Sequence, residues 1–241
     1  MAPCRVVGET VGMTEMTPPP LSIAIALFDR VTMLDAIGPY SVLAGLPNSE
    51  ITFLAERPGP VLDSHGRMAV VAHAAYADMP DPDVIVVPGG VITVQMSREE
   101  THPILDWIAQ VHPGTTRTTS VCTGSQLLGA AGVLEGVPAT SHWYVRDTLS
   151  EFGAIPTDER VVKHGKIITA AGVSSGIDMA LQLVADVQSD EVAQAIQLSI
   201  EYDPDPPFNA GHPRCAPPAI TEMVSAGFGG ALDRPTGPAT T

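Results

Sequence analysis

Short apolar runs, separated by glycine, proline and polar turns, recur along the chain and alternate with longer segments of helical periodicity. Residues 21–28 are nearly continuous in apolar character and rich in Ile and Ala, the pattern of a strand buried on both faces. Residues 51–55 form a second such run, and Pro58-Gly59-Pro60 breaks the chain after it. Residues 61–63 and 68–71 flank Ser64-His65-Gly66-Arg67 and read as a hairpin. Residues 83–87 give the clearest buried strand, which runs into Pro88-Gly89-Gly90. Helical patterns cover residues 34–43, Pro103–Val111, 126–131, 178–187 and 191–200. Thr101 is the expected N-cap of the second, with Pro103 in its first turn; Gly132 closes the third; Ser189 or Asp190 opens the last.

Strands alternating with helices predict an α/β fold: a single-domain, flavodoxin-like sandwich with a mostly parallel sheet and helices on both faces. Residues 1–20 lack periodicity and end in three prolines, as a flexible leader does. Residues 21–202 form the expected domain. Residues 203–241, rich in proline and glycine, are expected to be a tail partly packed on it.

Charge narrows the partners. The 241 residues carry 12 Lys and Arg against 27 Asp and Glu, a net charge of −15. Clustered cations are lacking, so neither nucleic acid nor an anionic membrane surface is an expected partner. The apolar runs fall far short of the ~20 residues a bilayer span needs. Glu9 interrupts any hydrophobic signal segment after Arg5. Cys4, Cys122 and Cys215 are odd in number and widely spaced, a poor disulfide framework, so reduced thiols and a cytoplasmic location are expected.

One of those cysteines stands where chemistry is done in open α/β folds. A β-branched run, Thr118-Thr119-Ser120-Val121, leads into Cys122, then Thr123-Gly124 and a helical pattern. A nucleophile at such a strand-to-helix elbow sits at the carboxyl edge of the sheet, where ligands bind. The following helix N-terminus offers free amides and a positive dipole end, which favour thiolate. The competing reading is a small buried hydrophobe. Gly89 and Gly90 follow a buried strand, so their amides face the same edge and could serve as an oxyanion hole; a tight turn explains them equally well. Asp35 follows the first strand near that edge, where a carboxylate at a helix N-terminus is also stable for structural reasons alone. His142 and Trp143 are candidates to line a pocket for a small apolar substrate, or ordinary packing. The other histidines lack metal-ligand spacing, and Cys4 and Cys215 lie in the leader and tail, so no metal is expected.

Several of these segments together resemble the ThiJ/PfpI superfamily, a branch of the class I glutamine-amidotransferase-like fold, and within it the isonitrile hydratases. The resembling residues are Leu34-Asp35-Ala36-Ile37-Gly38-Pro39, Pro88-Gly89-Gly90, Ser120-Val121-Cys122-Thr123-Gly124-Ser125 and Ala139-Thr140-Ser141-His142-Trp143. Gly172-Val173-Ser174-Ser175-Gly176-Ile177-Asp178, residues 197–202 and residues 206–211 complete the match. The elbow and the glycine pair are shared widely and specify fold; Cys122-Thr123, Asp35 and residues 206–211 are the narrower signal. Protease-like members carry a histidine after the cysteine, and this chain has Thr123, whose hydroxyl is no general base near neutral pH. That argues against peptidase or glutaminase chemistry, unless His142 approaches through space.

The resemblance implies a cofactor-independent lyase that hydrates an isonitrile to the N-substituted formamide through a covalent thioimidate on Cys122. It implies Asp35 as proton carrier, with a raised pKa and a proton shared with the thiol, and Thr123 as a hydrogen-bond partner of the sulfur or of Asp35. It also implies a homodimer. Two other functions fit the same site: a glyoxalase or deglycase acting on small carbonyl compounds, whose relatives commonly carry glutamate rather than aspartate, and a redox or ligand-sensing protein. Regulators of the AraC type need a helix-turn-helix region after this domain, and only about forty residues follow Ile200.

Overall fold

The computed structural model describes residues 19–232. The leader expected over residues 1–20 therefore lies almost wholly outside the described residues, as does Cys4. In chain order the elements are β1 (Leu21–Ala26), α1 (Met33–Leu43), β2 (Ser49–Ala55), β3 (Gly59–Leu62), β4 (Ala69–Ala72), β5 (Ala74–Ala75) and β6 (Val84–Val87). They continue with α2 (Thr93–Met96), α3 (Pro103–Val111), β7 (Arg117–Val121), α4 (Gly124–Ala130), β8 (Pro138–Ala139) and β9 (Ile155–Pro156). The chain ends in β10 (Val161–His164), β11 (Ile167–Ala170), α5 (Ser175–Val187), α6 (Asp190–Ser199) and α7 (Pro218–Leu232).

Seven strands form one sheet in the order β10-β11-β7-β6-β1-β2-β5, parallel except for the antiparallel edge strand β10. The apolar runs explain its centre: all of Val84–Val87 and the last four residues of Leu21–Ala26 are buried. Strands β2, β1, β6, β7 and β11 stand in the 2-1-3-4-5 order of the flavodoxin-like fold. The chain leaves β1 towards β2 but leaves β6 towards β7, so right-handed crossovers put α1 and α3 on opposite faces. Helix α5 packs on α1, and α4 packs on α3. The hairpin is present as β3 and β4, paired from Gly59 with Ala72 to Leu62 with Ala69.

Two local expectations change. The N-cap of α3 is His102, not Thr101; its Nδ1 accepts the Ile104 amide at 3.3 Å. The cause is Pro103, which forces the residue before it into extended backbone, so the helix cannot begin earlier. The described part of the expected tail, residues 203–232, also holds more order than a proline-rich tail suggests, because Pro218–Leu232 is a helix. The segment before it is tied down at Asp158, which accepts from Arg146, His212 and Arg214. Among the described residues no helix is long and apolar enough to cross a membrane.

The switch point of the sheet lies between β1 and β6, where the strand order reverses and a crevice opens beyond the carboxyl ends. Strand register aligns the residues at that edge. Ile25 pairs with Val86, and Val87 pairs with Ser120, so the segments leaving β1, β6 and β7 emerge side by side. Gly124 allows this convergence: a Cβ there would lie 2.2 Å from the Val87 carbonyl and 2.7 Å from that of Pro88. Both obstacles are backbone, so Gly124→Ala is expected to destabilise the fold by about 3 kcal/mol. Chemical denaturation checks this; a loss within about 0.5 kcal/mol would show that the elbow is not so tightly packed.

Candidate active site

Cys122 follows β7 directly, with φ of 59°, a left-handed conformation that non-glycine residues rarely adopt. The strain of holding it there is compensated by hydrogen bonds on both sides of the residue. Its N–H points between the carbonyls of Ala170 (3.0 Å) and Ala171 (2.9 Å). Its carbonyl accepts from the hydroxyls of Ser141 (3.1 Å) and Ser125 (3.3 Å). A strained backbone conformation over-determined by its surroundings is the mark of a functional turn. The elbow expected from the sequence is thus present, and the side chain is buried.

Asp35 lies in the first turn of α1 and is fully buried. A closed ring of contacts holds it. The Asp35 amide donates to the Thr32 carbonyl (2.9 Å), and the Thr32 amide donates to the Gly89 carbonyl (2.8 Å). The Gly89 amide completes the ring by donating to Asp35 Oδ2 at 3.0 Å. Glycine is required at 89: a Cβ would lie 2.6 Å from the Thr123 nitrogen and 2.9 Å from Asp35 Oδ2. Asp35 Oδ1 is buried with no hydrogen-bond partner of normal geometry.

The carboxyl and the thiol meet, and each perturbs the other. Burial pushes the Asp35 carboxyl up to about 8, against the lowering influence of the Gly89 amide and the thiol. Burial, reinforced by the Asp35 charge, holds the Cys122 thiol well above its ordinary range. The amides of Thr123 and Val173 reach the sulfur and pull the other way, without prevailing. The upward shift of Asp35 agrees in direction with the expected carboxyl proton, and the upward shift of the thiol runs against the expected resting thiolate. One turn of helix dipole and two amides are outweighed by desolvation beside a carboxylate. Burial shifts both members of the pair towards their protonated forms. With Oδ2 already accepting from Gly89, the carboxyl proton belongs on Oδ1.

Three sequence expectations are corrected by this geometry. Gly89 and Gly90 are not free oxyanion donors: the Gly89 amide is used by Asp35, and the Gly90 amide donates to Thr123 Oγ1 at 2.9 Å. Thr123 bonds neither the sulfur nor Asp35 through its hydroxyl. It donates instead to the Gly90 carbonyl at 2.9 Å and so clamps the Pro88–Gly90 turn to the elbow. Trp143 does not line the pocket beside the nucleophile; it faces a separate surface hollow with His212, Pro213 and Ile220. The alternation of side chains along an irregular loop sends His142 inward and Trp143 away.

His142 does border a small, nearly filled apolar pocket, together with Thr123, Val91, Val94, Tyr144 and Phe228. Burial lowers its pKa to about 4, so the ring is neutral at physiological pH. Its Nδ1 accepts from the Tyr144 amide at 3.3 Å, which leaves the proton on Nε2. The ring is not among the groups acting on the Cys122 thiol, so the partner of this cysteine is a carboxyl rather than an imidazole. Sequence reasoning missed three contributors. Val173 acts through its amide, which no side-chain pattern reports. Ser141 was visible only as part of a resembling segment, and Phe228 lay in the expected tail.

Burial of Asp35 carries a stability cost with a definite pH dependence. Its folded pKa lies above the unfolded value, so the folded state binds the extra proton between pH 4 and 8. Stability is fully present below about pH 4 and declines as pH rises towards 8. Asp35→Asn removes that decline. The variant is expected to be more stable than the parent by a margin that widens from pH 4 to pH 8. Thermal melts at both values check this; an equal margin would mean that Asp35 titrates normally.

Comparison with known proteins agrees with the architecture. The sequence model of the DJ-1/PfpI family matches residues 21–186. Isonitrile hydratase of Pseudomonas putida is 42% identical over 203 residues, covering 84% of this chain and 87% of that protein. The transcriptional regulator CdhR of Pseudomonas aeruginosa, described as HTH-type, is 30% identical over 148 residues, which is 60% of this chain and 42% of the regulator. Among solved structures, a ThiJ/PfpI family protein from Pseudomonas syringae superposes with a TM-score of 0.82 at 36% identity, covering 93% of this chain and 97% of that one.

Proposed function

The chain belongs to the DJ-1/PfpI family, and from that premise we propose that it is an isonitrile hydratase, a lyase converting R–N≡C and water into R–NH–CHO. The observation that carries this reading is the buried pair of Asp35 and Cys122, whose burial favours the protonated form of each. It occurs in a chain 42% identical to the Pseudomonas putida hydratase.

The substrate explains why a neutral pair suits the task. The terminal carbon of an isonitrile carries a lone pair and resists nucleophiles until it is protonated. The site must therefore supply an acid before a nucleophile. Asp35 gives the Oδ1 proton to that carbon while the sulfur of Cys122 attacks it. As the S–C bond forms, the thiol proton passes to the carboxylate, and Asp35 is again protonated. The product is a thioimidate, R–N=CH–S–Cys122. A pre-formed thiolate is unnecessary, because the proton that leaves sulfur replaces the one delivered to carbon.

Water then adds to the same carbon. Asp35 protonates the nitrogen and accepts a proton from the water, giving R–NH–CH(OH)–S–Cys122. Collapse breaks the C–S bond; the hydroxyl proton travels through Asp35 to the departing sulfur. Formamide and free thiol result, and every proton is accounted for. The Gly89 amide holds the carboxyl in place throughout, and Thr123 clamps the turn that carries this amide. The small apolar pocket suits an aliphatic or aromatic R group better than a charged one. The proposal extends to a cytoplasmic homodimer. The exposed apolar side chains of Leu198 (81%) and Phe208 (78%) support cover by a second copy.

Incubation with cyclohexyl isocyanide, followed by chromatography of the formamide, tests the reaction. Cys122→Ala is expected to lose activity by at least about a thousandfold, and Asp35→Asn by about a hundredfold or more. Substantial turnover in either variant refutes the assigned roles.

The pH profile follows from the protonated carboxyl. kcat/KM is expected to be flat on the acid side of about pH 8 and to fall above it, as Asp35 loses the proton that begins the reaction. A rate that instead climbs through pH 8 would mean that thiolate is the reactive form.

A further inference from the structure

The pocket beside Thr123 has one wall that does not come from the α/β domain. Val91, Val94 and Val145 form its apolar sides, and His142 and Tyr144 form its rim. The remaining wall is Phe228, near the end of α7 and more than a hundred residues along the chain from the elbow. Its ring lies 4.7 Å from that of His142 and stacks on Tyr144 at 5.2 Å, with an interplanar angle of 26°. It also meets Trp143 edge-on at 6.3 Å. Three ring contacts fix the position of a side chain that is only half-buried.

The fit of the helix is close at this point. A Cβ on Gly229 would lie 3.4 Å from the Tyr144 hydroxyl, so the backbone of α7 passes directly over the rim. The helix exposes Met223 and Val224 elsewhere, so burial of its own apolar face does not explain why Phe228 is directed to this spot. The segment leading into α7 is tied to the domain through Arg214 and His212 on Asp158. Helix α7 is thus anchored upstream and delivers one aromatic ring to the pocket.

We propose that Phe228 is a specificity-determining residue: it closes the R-group pocket and sets the largest substituent that reaches Cys122. This rests on the hydratase reading for the identity of the substrate, but not for the steric claim. The pocket borders both Thr123, the residue after the nucleophile, and His142, the residue after the Ser141 that holds the Cys122 carbonyl. Thr123 thus joins the pocket to the elbow that carries Cys122. Removing the ring enlarges the space for that group, and a larger ring fills it.

Phe228→Ala and Phe228→Trp test this in opposite directions. The first readout is kcat/KM for a bulky aryl isonitrile divided by that for methyl isocyanide. Phe228→Ala is expected to raise this ratio about tenfold, and Phe228→Trp to lower it. The second readout needs no isonitrile. The rate of Cys122 alkylation by N-phenylmaleimide, divided by that by iodoacetamide, is expected to move the same way, with Cys122→Ala as the blank. If wild type turns over no isonitrile yet the alkylation ratios shift as expected, the substrate assignment fails and the gating role of Phe228 stands. If both variants leave the alkylation ratio within twofold of wild type, Phe228 does not gate the pocket and the inference is overturned. A shift in the same direction for both variants would likewise overturn it, since general loosening of α7 would then be the cause.

Discussion

A carboxyl group buried away from solvent and pressed against a thiol is the constraint on which the rest of this site depends. Left alone, a buried aspartate would push towards solvent or ionise at the expense of the fold. Here the Gly89 amide takes one oxygen, and the other keeps a proton that ordinary carboxyls lose near pH 4. The thiol beside it is raised for the same reason and by the neighbouring charge. Burial thus favours the neutral form of both groups.

The fold is arranged around holding that pair. Opposite crossovers at the β1/β6 switch point bring Asp35 and Gly89 together, and β7 adds Cys122 at the matching register. The Thr123 hydroxyl bonds both the amide and the carbonyl of Gly90, so elbow and glycine turn move as one unit. This changes the meaning of the glycine pair. Its amides are already engaged: that of Gly89 holds the acid, and that of Gly90 holds the Thr123 hydroxyl. The site consequently directs its donors to the ground-state carboxyl, through Gly89, and to the sulfur, through the amides of Thr123 and Val173.

Much of this was legible in the sequence because it is carried by short-range patterns. Buried runs such as 84–87 read as central strands, and Val121-Cys122-Thr123-Gly124 read as a sharp exit from one, with a small buried hydrophobe as the competing reading of the cysteine. The place of Asp35 after β1 suited a structural carboxylate equally, and it was the family resemblance that marked it as a proton carrier. What escaped detection depends on long-range geometry. Which acceptor a Gly89 amide or a Thr123 hydroxyl chooses is decided by a partner 54 or 33 residues away. The thiol's protonation is a balance between two amides and desolvation that no local motif expresses. Helix α7 has a weakly amphipathic, glycine-interrupted sequence, and its docking through Phe228 is a property of the aromatic cluster it meets.

The central claim is that Asp35 carries a proton at neutral pH, and vibrational spectroscopy reads that proton directly. Infrared difference spectra of the protein against Asp35→Asn, taken from pH 5 to 10, isolate the carbonyl stretch of this one side chain. A protonated-carboxyl band is expected at pH 7, giving way to carboxylate bands with a midpoint of about 8. A carboxylate already fully formed at pH 6 would contradict the claim and return the site to a resting Asp35 anion.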